Sequence, residues 1–196
     1  MKILLTGSDG QLGQQIINLA PKNIELICLN RNKLNLTNSK DCYDITIKEN
    51  PDWIINAGAY TNVDEAEKNK ELTLLINSNA PLAFSKALKI TGGKLLQIST
   101  DYVFNGLQNF PYATSQKRDP INYYGYTKGL AEENIENIFG ATKKYIILRT
   151  SWVVGPTGKN FLLTMLSLHK NKEKIRVVCD QIGSLTSTFS LANACW

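Results

Sequence analysis

Histidine and paired cysteine are scarce in this sequence. One histidine, His169, stands among 196 residues. No metal site built on imidazoles can therefore be assembled, and no Ser-His-Asp triad can form without that residue. Four cysteines (Cys28, Cys42, Cys179 and Cys195) lie far apart with no Cys-x-x-Cys pair. Zinc knuckles and redox motifs are excluded, reduced thiols are the default, and Cys28, Cys42 and Cys179 are expected to be small buried apolar groups. No run approaches the roughly 18 consecutive apolar residues that span a bilayer, so no membrane partner is expected. Met1–Gly7 is apolar too briefly to act as a secretory signal, and the expected location is the cytoplasm.

Charge of one sign is also in short supply. With 22 basic and 17 acidic side chains the net charge is +5, and it is scattered. The densest run, His169 to Arg176, carries a Glu and no aromatic residue. It is expected to be a solvated helix end, and no nucleic-acid partner is expected. Hydrophobic residues at 43% and charged residues at 20% indicate a folded chain rather than a disordered one.

Short apolar runs alternate with longer helical patterns. Lys2–Thr6, Ile24–Leu29, Trp53–Asn56, Lys94–Ser99 and Tyr145–Arg149 read as strands. Gln11–Leu19, Asn38–Glu49, Glu71–Thr91 and Tyr123–Phe139 read as helices, with Thr37 or Asn38 as the cap of the second. Strand and helix in alternation specify an α/β fold, a doubly wound Rossmann-like parallel sheet covered on both faces. Residues 1–150 are expected to form the dinucleotide-binding domain. Beyond Trp152 the pattern loosens into a turn at Gly155–Gly158, a helix near Phe161–His169 and a strand near Ile175–Cys179. Residues 151–196 are expected to begin a second unit that ends in mid-domain at Trp196, which the resemblance drawn below implies is a substrate lobe.

Gly7-Ser8-Asp9-Gly10-Gln11-Leu12-Gly13 follows the first strand and opens the first helix. Gly7 suits the tight turn, Gly10 the close approach of a pyrophosphate, and Gly13 the packing of helix on strand. The unpaired N–H groups and positive end of the helix then face the diphosphate. A glycine-rich turn without a ligand would share the spacing, but its place between strand and helix favours binding. At the end of the second strand, where a carboxylate would bind the ribose of NAD, the sequence reads Leu29-Asn30-Arg31. Asn30 can bond a hydroxyl and Arg31 a 2′-phosphate, which favours NADPH and leaves NADH open.

Tyr124 and Lys128 are spaced to share one helix face. An ammonium beside a phenol is expected to lower a pKa that starts near ~10, so the phenol can give a proton to a carbonyl oxygen as hydride reaches the carbon. Lys128 can also bond the nicotinamide ribose. Ser99–Phe104 follows the fourth strand at the carboxyl edge of the sheet. There Thr100 can donate to the same carbonyl, and Asp101 can accept from a sugar hydroxyl or cap the loop. Packing on a helix surface and an ordinary turn are the plain alternatives.

These stretches, with Asn56–Asp64, Arg149-Thr150-Ser151-Trp152 and Asp180-Gln181-Ile182-Gly183, resemble the dTDP-4-dehydrorhamnose reductases, extended members of the short-chain dehydrogenase/reductase superfamily. The resemblance implies reduction of the 4-keto group of dTDP-4-dehydro-L-rhamnose by NAD(P)H. It implies Gly10, Gln11 and Leu12 at the pyrophosphate, Ala57, Gly58 and Ala59 as the wall beside the cofactor, and Thr100, Tyr124 and Lys128 as the catalytic trio. Thr100, Asp101 and Trp152 are the implied substrate contacts. The chain departs from the family pattern at Asn30 and Asn35, often acidic in members, and at Leu185, where a proline is usual. Members also continue past Trp196. A cofactor-binding regulatory module without turnover, and an epimerase or dehydratase of the same superfamily, are the competing readings. A dehydratase needs a second carboxylate where Tyr102 stands. Homodimer formation stays open.

Overall fold

The computed structural model describes residues 1–171 and 174–196. Its centre is a five-stranded sheet of β1 (Lys2–Thr6), β2 (Glu25–Leu29), β3 (Trp53–Asn56), β4 (Lys94–Thr100) and β5 (Tyr145–Thr150), ordered β2-β1-β3-β4-β5. Every pairing is parallel, as expected for strands that are nearly continuous runs of Ile and Leu with both faces covered. The order reverses at β1. A crevice therefore opens beyond the carboxyl ends of β1 and β3, where doubly wound sheets hold their ligands.

Alternation along each strand divides the core in two. Leu4, Ile54 and Leu95 face one side, where they meet Cys42, Phe84, Leu88 and Ile135. These belong to α2 (Ser39–Glu49), α5 (Ala80–Thr91) and α6 (Tyr123–Phe139). Ile3, Leu5, Ile55 and Leu96 face the other side and meet Leu12 and Ile16 of α1 (Gln11–Asn18) and Leu191 and Ala192 of α8 (Thr188–Cys195). Full burial of a side chain such as Phe84 or Ile16 contributes about 1.5–3 kcal/mol. The segment after residue 150 thus sends its last helix back onto the layer that carries α1.

Asparagine starts several helices. Asn38 accepts from the N–H groups of Lys40 and Asp41 and so is the cap of α2, while the Thr37 hydroxyl turns to Asn35. Asn122 accepts from Gly125 at the head of α6 at 2.7 Å. The helix expected over Glu71–Thr91 runs as α4 (Lys70–Leu74), a π-helical turn at Leu75–Asn79, and α5, after α3 (Val63–Ala66). The wider turn brings Asn77 into the interior, where it bonds both the N–H and C=O of Tyr60. Periodicity alone does not reveal such a bulge.

Past β5 the chain makes a short ladder of β6 (Val153–Val154) and β7 (Thr186–Ser187), with α7 (Phe161–Lys170) between them. The strand expected at Ile175–Cys179 does not form. Those residues are exposed, and no strand among the described residues lies beside them to complete a ladder. Cys179 is likewise exposed rather than buried, Cys28 is half-buried, and Cys42 is buried as expected. Lys172 and Glu173, within the basic run expected to be a solvated helix end, lie outside the described residues. Among the described residues no helix is long and apolar enough to cross a membrane.

Candidate active site

The glycine turn is held by contacts that no side chain could tolerate. Gly7 has φ +64°, and a Cβ there would lie 2.7 Å from the Gly58 backbone. A Cβ on Gly13 would collide with the carbonyl of Gly7. Gly10 meets only its own turn and leaves its outer side open to a cavity of about 960 Å3. Gly10 also caps α1 without a side-chain hydrogen bond, and no acidic residue stands in the first turn. The first N–H groups of the helix therefore face the cavity without competition for an anion. Gln11 lines the same space, but its amide is tied to the far side, donating to the Lys159 carbonyl and accepting from Asn160.

Ala57, Gly58 and Ala59 line the opposite wall. A Cβ on Gly58 would come 2.6 Å from the Leu36 side chain, so a larger residue there would have to displace that methyl. Asn30 and Arg31 stand at the end of β2 on the same cavity. The Asn30 carbonyl oxygen is occupied by the N–H groups of Asn32 and Lys33, which leaves its amide nitrogen for a ligand. Arg31 is exposed and pairs with no carboxylate among the described residues.

Thr100, Asp101, Tyr124 and Lys128 line the inner end of the cavity, so the residues singled out near the end of β4 and on α6 converge. The approach of α6 depends on Gly125, where a Cβ would collide with the Tyr102 carbonyl. The Tyr124 ring consequently meets Tyr102 edge to face, with centroids 5.7 Å apart. The Thr100 hydroxyl donates to Asp101 Oδ1 at 3.0 Å and accepts from the Tyr102 N–H at 3.2 Å, so Thr100 rather than Asp101 caps this turn. Burial raises the Asp101 carboxyl above its ordinary value against the pull of that hydroxyl.

The lowered phenol pKa expected from the Tyr124/Lys128 spacing is not found. Burial pushes the Tyr124 phenol up to about 12, with the nearby Thr100 hydroxyl opposing and the Asp101 charge adding to the rise. The Lys128 ammonium does not act on the phenol because it turns inward and donates to the Ile98 carbonyl at 2.6 Å. Burial in turn lowers Lys128 to about 8, against the charge of Glu132.

Glu132 is a residue that reading the sequence missed. It lies a further helical turn along the face of Tyr124 and Lys128 and is fully buried. Its carboxylate accepts from Ser99, from Nε and Nη2 of Arg149 and from Arg118. Burial would raise its pKa, yet the bonds from Arg149, Ser99 and Arg118 hold it below the ordinary carboxylate value. The continued spacing of four was the available signal. Gly125, in the first turn of a helix where Ala would serve better by about 1 kcal/mol, was another.

Trp152 stands at the cavity mouth, two-fifths exposed, with its backbone at φ +42°. Such a conformation is rare for a bulky residue and concentrates at functional positions. The Ser151 hydroxyl donates to the Ser184 carbonyl and the Thr186 N–H to the Trp152 carbonyl, which ties this stretch to the segment around Gly183.

The family model described as "RmlD substrate binding domain" matches residues 1–196. The spore coat polysaccharide biosynthesis protein SpsK of Bacillus subtilis is 41% identical over 98% of this chain and 68% of its own length. A dTDP-4-dehydrorhamnose reductase of Burkholderia thailandensis is 36% identical over 98% of this chain and 64% of its own. The crystal structure of dTDP-4-dehydrorhamnose reductase from Bacillus anthracis in complex with NADP superposes with a TM-score of 0.92 at 37% identity. It covers 99% of this chain and 69% of that one. The chain thus spans about two thirds of the length of these relatives.

Proposed function

Since the chain belongs to the RmlD substrate-binding family, we propose that it binds NADP(H) and reduces the 4-keto group of dTDP-4-dehydro-L-rhamnose, giving dTDP-L-rhamnose. The observation that carries this reading is the convergence of Thr100, Tyr124 and Lys128 on the cavity that the glycine turn opens. The relatives named for this reduction, one of them in complex with NADP, support the choice of substrate and cofactor.

The cavity fits a dinucleotide by its own chemistry. Gly10, Gln11 and Leu12, with Gly7 and Gly13 shaping the turn, would hold the pyrophosphate on backbone N–H groups. Asn30 and Arg31 would meet the adenosine ribose and its 2′-phosphate, and the guanidinium fork favours NADPH over NADH. Ala57, Gly58 and Ala59 would form the wall. When bound, the nicotinamide supplies hydride to the carbonyl carbon.

This chain's own residues supply the proton and the placement. A phenol pushed up to about 12 holds its proton at neutral pH, which is the form a donor needs. Tyr124 gives that proton to the carbonyl oxygen as the C–H bond forms, and the ketone becomes an alcohol. Lys128 keeps two N–H groups beyond the one given to Ile98, and these would hold the nicotinamide ribose hydroxyls. Thr100 supports the oxygen, Asp101 takes a sugar hydroxyl, and the Trp152 indole covers the sugar or base. In this reading residues 1–150 bind the nucleotide cofactor in the cytoplasm, and residues 151–196 begin the substrate side, apart from α8.

The test is oxidation of NADPH followed at 340 nm with the dTDP-4-keto-6-deoxysugar, beside a Tyr124→Phe control. Turnover that depends on Tyr124 supports the reading. NADPH binding without turnover above the control replaces it by a cofactor-binding module that does not catalyse.

A further inference from the structure

Thr6, Asn56 and Gln97 stand in register across three adjacent strands. All three are about 1% exposed. They form a polar row in a sheet whose neighbouring rows are Leu and Ile, beneath the crevice and on the side that carries α6. Burial of three polar side chains is costly unless each is bonded, and here each is.

The bonds run in one direction. The Gly58 N–H donates to Thr6 Oγ1 at 3.2 Å, and the Thr6 hydroxyl donates to Asn56 Oδ1 at 2.5 Å. Asn56 Nδ2 donates to Gln97 Oε1 at 2.7 Å, and Gln97 Nε2 donates to the Ile98 carbonyl at 2.7 Å. The direction is fixed from both ends. A carbonyl at Ile98 obliges Gln97 to present nitrogen there, so its oxygen faces Asn56 and demands that amide's nitrogen. At the other end the backbone N–H of Gly58 leaves the Thr6 proton for Asn56. Neither amide can flip without setting like against like. The Ile98 oxygen takes one further bond, from the Lys128 ammonium at 2.6 Å.

We propose that Gln97 is a positioning residue for Lys128: its amide holds the one carbonyl on which the ammonium rests, as the last link of a buried chain that starts in the wall beside the cofactor. The inference rests on the reading above for its catalytic meaning. It assigns a task to three residues outside the proposed catalytic and binding set. Two donors share one oxygen, and an acceptor already engaged by Gln97 holds the ammonium less strongly than a free one. Gln97 therefore fixes the place of Lys128 and tempers the stability of its charge. Around Lys128 stand Tyr124 and Glu132 on its own helix, Asp101 and Tyr102 from the turn after β4, and Arg149 and Arg118 behind Glu132. Of these, the Glu132 charge is the one that acts on Lys128.

The test follows Lys128 itself, in the whole chain without turnover. The protein is labelled with 13Cε-lysine, the Lys128 signal is assigned with Lys128→Arg, and its titration midpoint is measured. Gln97→Glu places a carboxylate beside the shared oxygen and raises the midpoint by roughly one to three pH units. Gln97→Met keeps the bulk, removes the second donor and raises it by less. In turnover Gln97→Met lowers kcat about ten- to a hundredfold with little change in KM, as a misplaced group does. If the Glu variant does not fold, the Met variant carries the comparison. A midpoint unmoved in a folded variant overturns the inference and leaves the reductase reading intact. Absence of turnover in the unsubstituted protein overturns that reading, whatever the midpoint does.

Discussion

Gly183 lies flat against the indole of Trp152: a Cβ on Gly183 would come within 2.7 Å of both Nε1 and Cε2. The indole belongs to a residue held at φ +42° and is two-fifths exposed, so the ring must turn to make room. Gly183→Ala is expected to push the ring off its rotamer, at a cost of about 0.5–1.5 kcal/mol. The expected outcome is a severalfold rise in KM for the nucleotide sugar with NADPH affinity unchanged. Steady-state kinetics and cofactor titration together check it.

Tyr124→Phe removes the proton and little else, since the ring keeps its edge-to-face contact with Tyr102. Loss of a positioned proton donor costs about a hundred- to ten-thousandfold in rate. The variant is expected to bind NADPH as the unsubstituted protein does, measured by nucleotide fluorescence, and to lose kcat by that factor.

Arg31→Ala tests the choice of cofactor. The guanidinium lines the cavity at the end of β2 with no competing partner among the described residues. At this exposed position the loss is expected to be about tenfold in NADPH affinity, about 1.4 kcal/mol, with NADH affinity nearly unchanged. Equal losses for both would show that Arg31 does not meet the 2′-phosphate.

Glu132 sets an acid limit on stability. Its folded pKa is held below the ordinary value of 4.5 by Arg149, Ser99 and Arg118. Its contribution is therefore present above the unfolded carboxylate range and lost as pH falls through the lowered folded value. Glu132→Gln leaves the half-buried Arg149 without its counter-charge, which costs about 1–3 kcal/mol. Thermal melts from pH 7 to pH 3 are expected to converge for the two proteins at the acid end.

These predictions draw unequally on what the sequence displayed. β1 to β5, α1 and α6 were legible because each is a short apolar run or an amphipathic stretch closed by Gly, Asn or Thr. The glycine turn was legible because its spacing answers to local backbone geometry. The Thr6–Asn56–Gln97 row was not legible, since its members are 50 and 41 residues apart and meet only once the strand register is set. The π-helical turn at Leu75–Asn79 and the left-handed Trp152 are tertiary consequences with no pattern of their own. The expected strand at Ile175–Cys179 shows the reverse case, an apolar run that finds no strand to pair with among the described residues. The phenol of Tyr124 was misjudged for a related reason: spacing placed Lys128 on the right face but could not show that its ammonium turns to Ile98.

Lys128 sets stability against function. Burial holds its folded pKa near 8, below the ordinary 10.5, so the folded state binds this proton less readily than the unfolded chain does. Between those values the unfolded state carries more protons, and stability rises with pH through that window. Below pH 8 the buried charge costs roughly 3 kcal/mol, taking 1.36 kcal/mol per pKa unit. Lys128→Met is therefore expected to melt several degrees higher than the unsubstituted protein at pH 7, with the gap closing toward pH 10.5. The same variant is expected to lose reductase turnover, because the ammonium that would hold the nicotinamide ribose is gone. Loss of activity with no gain in melting temperature at pH 7 would mean that the ammonium is better compensated in the fold than its burial implies.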